Sequence, residues 1–93
     1  MTATVVLPAV LRQSAGGLGR IPVEAGSVAE ALDQLGREWP LLERRLRDER
    51  GRIRQHVRLY LEGVDISDLA GMSTPLPEGS RLHIIPAVSG GSR

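Results

Sequence analysis

The last six residues run Val88-Ser89-Gly90-Gly91-Ser92-Arg93, and the Gly90-Gly91 pair is the segment best suited to chemistry. Glycine has no Cβ and takes up extended conformations closed to other residues, so a diglycine can enter a narrow active-site channel. There a terminal glycine carboxylate could be presented to ATP and activated as an acyl group. As written, the Gly91 carbonyl belongs to the peptide bond with Ser92 and cannot be activated. Taken alone, the same residues also read as a frayed Gly-Ser tail.

Other candidate constellations are weaker. His56 and His83 are far apart in the sequence, the chain has no cysteine, and no HExxH pattern occurs, so no metal site is expected. Both histidines read as exposed strand residues. No G-x-S-x-G elbow is present, and the scattered Asp and Glu residues have no spacing that marks an acid and base pair. Nothing here points to a stand-alone enzyme. Gly16, Gly17 and Gly19 fit neither phosphate-binding fingerprint and read as a turn. Arg44, Arg45, Arg47, Arg50, Arg52, Arg54 and Arg58 form a basic stretch, which could neutralise phosphates. Glu43, Asp48 and Glu49 interrupt it and no aromatic residue is interleaved, so a solvated loop or a contact for an acidic partner is the better reading.

The elements that position the tail follow from size and pattern. With 93 residues, 41% hydrophobic and 25% charged, the chain suits one compact domain and not two. Its aromatic residues are Trp39 and Tyr60, so the core must be aliphatic. The absence of cysteine excludes disulfides and thiolate nucleophiles, and any sulfur chemistry must use sulfur brought from elsewhere. A formal net charge of +1 favours neither nucleic-acid nor membrane binding. Met1 to Val10 has no basic leader, no long apolar run occurs, and a cytoplasmic location is expected. All 12 Lys-or-Arg residues are Arg, so no side-chain amine exists for self-conjugation.

Thr4 to Leu7 reads as a strand with Ala3, Val5 and Leu7 on one face, and Arg20 to Val23 as a second strand after a turn over Gln13 to Gly19. Ser27 and Glu30 form a capping box, after which Val28, Ala31, Leu32 and Leu35 make one apolar stripe along a helix. Gly36 weakens that helix and Pro40 ends it, with Leu41, Leu42 and Leu46 in a short second helical turn. Asp48 to Gln55 reads as a polar loop. Val57, Leu59 and Leu61 alternate with His56, Arg58 and Tyr60 in a half-buried strand. Glu62-Gly63 reads as a tight turn, Asp65 to Leu69 as an irregular or single-turn segment, and Arg81 to Pro86 as the last strand, with Leu82 and Ile84 on one face. This order is that of an α+β, β-grasp (ubiquitin-like) fold: a mixed sheet of four to five strands with one main helix packed on one face. The first and last strands should lie parallel at its centre. The domain is expected over residues 1–88, with a flexible tail over 89–93.

At this point the sequence resembles the ThiS/MoaD family of sulfur carriers, and within it the CysO type. Val5-Val6-Leu7-Pro8-Ala9-Val10-Leu11-Arg12, the Gly16-Gly17 turn and Arg58-Leu59-Tyr60-Leu61 carry the resemblance, and Leu82-His83-Ile84-Ile85-Pro86-Ala87-Val88-Ser89-Gly90-Gly91 is its most specific part. The resemblance implies a carrier that is itself the substrate of a ubiquitin-activating-type adenylating enzyme. That enzyme would use ATP to turn the Gly91 carboxylate into an acyl-adenylate, sulfur would displace AMP, and the product would be a thiocarboxylate. The acceptor would be a cysteine synthase-like enzyme, a thiazole synthase-like enzyme or a molybdopterin synthase large subunit, or a step of secondary metabolism. No cofactor would be bound stably.

The sequence departs from the family's usual ending in Ser92-Arg93. Related carriers with a short extension imply its removal by a JAMM-type (Mec-like) metallopeptidase, leaving Val88, Ser89 and Gly90 as the tail behind Gly91. Strand alternation places Val6, Tyr60 and Ile85 on the sheet face away from the helix, where exposed apolar residues would suit an activating enzyme. Arg58 and His83 on the same face limit any contiguous patch. Two other classes compete with the carrier: a ubiquitin-like modifier or interaction module joined through Gly91 to a target amine, and an RNA-associated domain using the arginine stretch.

Overall fold

Ser27 opens the main helix of the computed structural model, which describes residues 1–86. Its hydroxyl oxygen accepts the Glu30 N–H at 3.3 Å, satisfying one orphan amide of the first turn. The Glu30 carboxylate reaches back to the N–H of Gly26 at 2.8 Å rather than to that of Ser27, a box one residue wider than expected. This helix, α2 (Val28–Glu38), buries Val28, Ala31, Leu32 and Leu35, the stripe its spacing requires.

Those residues pack on a five-stranded mixed sheet, β1 (Thr2–Val6), β2 (Arg20–Glu24), β3 (Val57–Leu61), β4 (Val64–Asp65) and β5 (Arg81–Pro86), in the order β2-β1-β5-β3-β4. Strands β1 and β5 run parallel at the centre, with Val5 beside Leu82, and every other pair is antiparallel. Period-two alternation sends Ala3, Val5, Ile21, Val23, Leu59, Leu61, Leu82 and Ile84 into the core under α2. That core is aliphatic; fully burying one such side chain contributes about 1.5–3 kcal/mol.

Three local features differ from the expectation. The residues after β1 form a helical turn, α1 (Ala9–Arg12), followed by a 3₁₀ turn over Gln13–Ala15, where the residue pattern predicts only a turn over Gln13 to Gly19. Leu11 and Ala15, four residues apart, both enter the core, but so short a piece shows no periodicity. The turn ends on Gly16 with φ 64°, and a Cβ there would lie 3.1 Å from the Trp39 ring, so left-handed backbone and close packing both call for glycine. Next, the expected tight turn at Glu62 (φ 48°) and Gly63 (φ 87°) is a two-residue hairpin that pairs Leu61 with Val64 and Tyr60 with Asp65, so Asp65 belongs to the short strand β4 and not to the irregular segment expected over Asp65 to Leu69. Finally, His56 sits in an exposed turn before β3, not in a strand, whereas His83 is a half-buried residue of β5.

Helix α3 (Pro40–Leu46) starts with Pro40 in its first turn, where a missing N–H is harmless. Leu42 and Leu46 are buried and Leu41 is 64% exposed. Gly36 does not end α2; it lets α3 approach, since a Cβ on it would sit 2.7 Å from the Glu43 carboxylate. Among the described residues no helix is long and apolar enough to cross a membrane.

Candidate functional site at the base of the tail

Pro86 is the last described residue of β5, and the register places it opposite Val57, the first residue of β3. The chain therefore leaves the sheet from its centre, at the end where β1 passes into α1 and where the loop after α3 enters β3. Val88, Ser89, Gly90, Gly91, Ser92 and Arg93 lie outside the described residues, as does the expected domain boundary at residue 88.

A groove of about 380 Å³ opens beside Pro86. Val10 and Leu11 of α1, Val57 and Pro86 give it an apolar lining, and Arg44, Arg45, Arg54 and His56 supply the rest. The Arg54 Nε donates to the Arg44 carbonyl at 2.7 Å, and the Arg54 N–H to the Leu46 carbonyl at 3.0 Å. These bonds hold the loop against the C-terminal end of α3. The loop is also braced by Asp48, whose Oδ1 accepts the N–H groups of Arg50 at 2.9 Å and Arg52 at 3.0 Å. The bond from Arg52 leads the effects that hold the Asp48 carboxyl below its ordinary pKa of 3.8.

The arginine stretch thus divides by role. Arg47 is a structural tie: its Nη1 donates to Asp33 at 3.0 Å, and its Nε and Nη2 fork onto Glu43 at 3.0 and 2.9 Å. Only 11% of its side chain is exposed. Burial by itself would lower its pKa, but the hydrogen bonds and charges of Glu43 and Asp33 outweigh that and raise it. The tie joins α2, α3 and the loop. Sequence spacing gives Glu43 and Arg47 as a helical i,i+4 pair, but offers no sign that Asp33 completes it.

The sheet face away from α2 carries one row across all five strands, Arg20, Val6, His83, Tyr60 and Asp65, fixed by the registers of β1, β5, β3 and β4. Val6 and Tyr60 are half-buried, and Ile85, opposite Arg58, is exposed. His83 stands between Val6 and Tyr60, so the three apolar residues share a face without forming one continuous patch. A depression of about 340 Å³ next to Val6 is lined by Thr4, Arg20, Gly79, Arg81 and His83. Among the described residues no group of three or more His, Cys, Asp or Glu is placed to hold a metal ion.

The family model described as the ThiS family matches residues 5–91, from Val5 in β1 to Gly91 of the diglycine. The chain belongs to the ThiS family. Sulfur carrier protein CysO of Mycobacterium tuberculosis is similar to it, 27% identical over an alignment of 93 positions that covers 98% of this chain and 100% of CysO. Small archaeal modifier protein 3 of Haloferax volcanii is 32% identical over 65 residues, 70% of each chain. Among solved structures, a chain of the Amycolatopsis orientalis BexX/CysO complex superposes with a TM-score of 0.86 at 27% identity, covering 96% of this chain and 99% of that one. The fold of this ThiS-family chain is the ubiquitin-like β-grasp, and its relatives are carrier and modifier proteins. The groove at the base of the tail was not among the expected site residues. Its signal was the arginine stretch, which sequence alone could not divide into a tie and a rim.

Proposed function

We propose that this chain is a sulfur carrier whose reacting group is the Gly91 carboxylate, freed by removal of Ser92-Arg93 by a JAMM-type metallopeptidase. An adenylating enzyme would bind the tail, and a Gly91 carboxylate oxygen would attack the α-phosphorus of ATP, displacing pyrophosphate. A sulfur nucleophile would then add to the acyl carbon and AMP would leave with the electron pair of the broken C–O bond. The activation is needed because a bare carboxylate oxygen is a poor leaving group. The thiocarboxylate sulfur, nucleophilic and tethered to a folded carrier, would then be delivered to a cysteine synthase-like, thiazole synthase-like or molybdopterin synthase-type acceptor.

One observation carries this reading: the ThiS-family match runs through the β-grasp body and stops at Gly91, so Ser92 and Arg93 fall outside it. The similarity to CysO supports it. Val6, Tyr60 and Ile85 would meet the adenylating enzyme as separate apolar contacts around His83.

A second reading, a ubiquitin-like modifier joined by Gly91 to target lysines, is favoured by the similarity to small archaeal modifier protein 3. Isolation of the protein from its own cells, followed by thiocarboxylate-selective tagging and by peptide mapping of any conjugates, separates the two. A tagged species ending at Gly91, with no lysine-linked Gly91 adducts, is the result expected. Adducts without a thiocarboxylate would replace the carrier by the modifier.

A further inference from the structure

The groove beside Pro86 is more one-sided in charge than the chain that contains it. The whole chain has 12 basic Lys-or-Arg residues against 11 Asp and Glu, yet the groove is lined by Arg44, Arg45, Arg54 and His56 and by no carboxylate among the described residues. Asp48, Glu49 and Glu43, which interrupt the arginine stretch in sequence, are turned to other tasks or other surfaces. Glu43 is engaged by Arg47, and Asp48 caps its own loop. Between the basic side chains lies apolar surface that includes Val10, 69% exposed.

We propose that this groove is a second interaction surface, which receives an acidic segment of the enzyme that activates the tail. The inference rests on the carrier reading above. Gly91 lies five residues beyond Pro86, a reach of at most about 18 Å when fully extended. An enzyme holding Gly91 in its active site therefore stands close to the groove, and one carrying carboxylates there would meet the arginines of a loop and a helix already tied together. The hydrogen bond from Arg54 to the Arg44 carbonyl fixes the loop to α3 before any partner arrives, which lowers the entropy lost on binding. Arginine suits the task, since its planar fork can hold a carboxylate by two parallel hydrogen bonds. The open sheet face is less one-sided, because its row carries the carboxylate of Asp65 along with Arg20, His83, Val6 and Tyr60.

The test uses the chain ending at Gly91, the adenylating enzyme of the same organism, ATP and sulfide, and follows thiocarboxylate formation. Arg44→Glu and Arg45→Glu are each expected to raise KM roughly tenfold, with kcat within about twofold and a weaker dependence of KM on salt. Arg45→Lys keeps the charge without the fork and should raise KM about threefold, between wild type and Arg45→Glu. Arg37→Glu, which makes the same change in net charge on the exposed surface of α2, should leave KM within about twofold. Thermal melts show whether each variant is folded, and Arg45→Lys carries the comparison should a Glu variant unfold. Equal KM values for Arg45→Glu and wild type, or an equal rise for Arg37→Glu, would overturn the proposed surface while leaving the carrier reading intact. A wild-type chain that gains no sulfur would overturn both.

Discussion

Val57 and Pro86 face one another across the β3–β5 ladder, so the last described residue of β5 is held by the strand that forms one wall of the basic groove. A tail leaving from that point has a fixed origin, whatever its own conformation. The rigidity of the origin depends on the core beneath it.

Ile84, buried at 1% exposure and paired with Leu59, is the core residue nearest that origin on β5. Ile84→Ala should cost about 2–5 kcal/mol, the range for deleting a large aliphatic side chain from a packed core. Urea unfolding measures it, and a loss under about 1 kcal/mol would mean that this layer is not close-packed.

Arg47→Met keeps the apolar stem and removes the guanidinium from Asp33 and Glu43. Glu43 is partly buried and would lose its main partner, while Asp33 is largely exposed and would be resolvated. A loss of about 1–3 kcal/mol is expected, less than for a fully buried pair. The urea midpoint should fall, and an unchanged midpoint would show that the tie adds nothing.

Gly36→Ala in an exposed helix would ordinarily stabilise by about 1 kcal/mol. Here the added methyl would meet the Glu43 carboxylate that Arg47 holds in place. The expected result is therefore no gain, or a net loss. A thermal melt that rises as the helix-propensity gain alone requires would contradict the close approach of α2 and α3.

Asp48 supplies the pH prediction. Its folded pKa is lowered, so its contribution is fully present above the ordinary value of 3.8 and fades as pH falls through the lower folded value. Amide exchange at Arg50 and Arg52, corrected for intrinsic rates, should quicken on acidification through that window, and Asp48→Ala should show quick exchange already at neutral pH. Identical protection in the variant would remove Asp48 as the brace of the loop.

Much of this architecture could be read from residue spacing. The Ser27 and Glu30 pair and the stripe through Leu35 gave α2, and strict alternation in Val57–Leu61 and Arg81–Pro86 gave the inner and outer faces of β3 and β5. Short pieces were less legible. The turn at Ala9–Arg12 is a single helical turn, and β4 has two residues, too few in either case for a period to register. The arginine stretch was legible as charge but only partly as geometry, because the i,i+4 spacing of Glu43 and Arg47 is visible while the place of Asp33 on α2, which completes the tie, is not. The diglycine stood out from a frayed tail only when its chemistry was joined to the β-grasp order of the strands, and its placement lies outside the described residues.

The central claim is that Gly91 becomes reactive only as a free acid. Two forms of the protein, one ending at Gly91 and one retaining Ser92-Arg93, are to be incubated with the adenylating enzyme, ATP and sulfide, and weighed intact by mass spectrometry. The account predicts an oxygen-for-sulfur exchange in the first form and none in the second. Exchange to the same extent in both, or in neither, would contradict it.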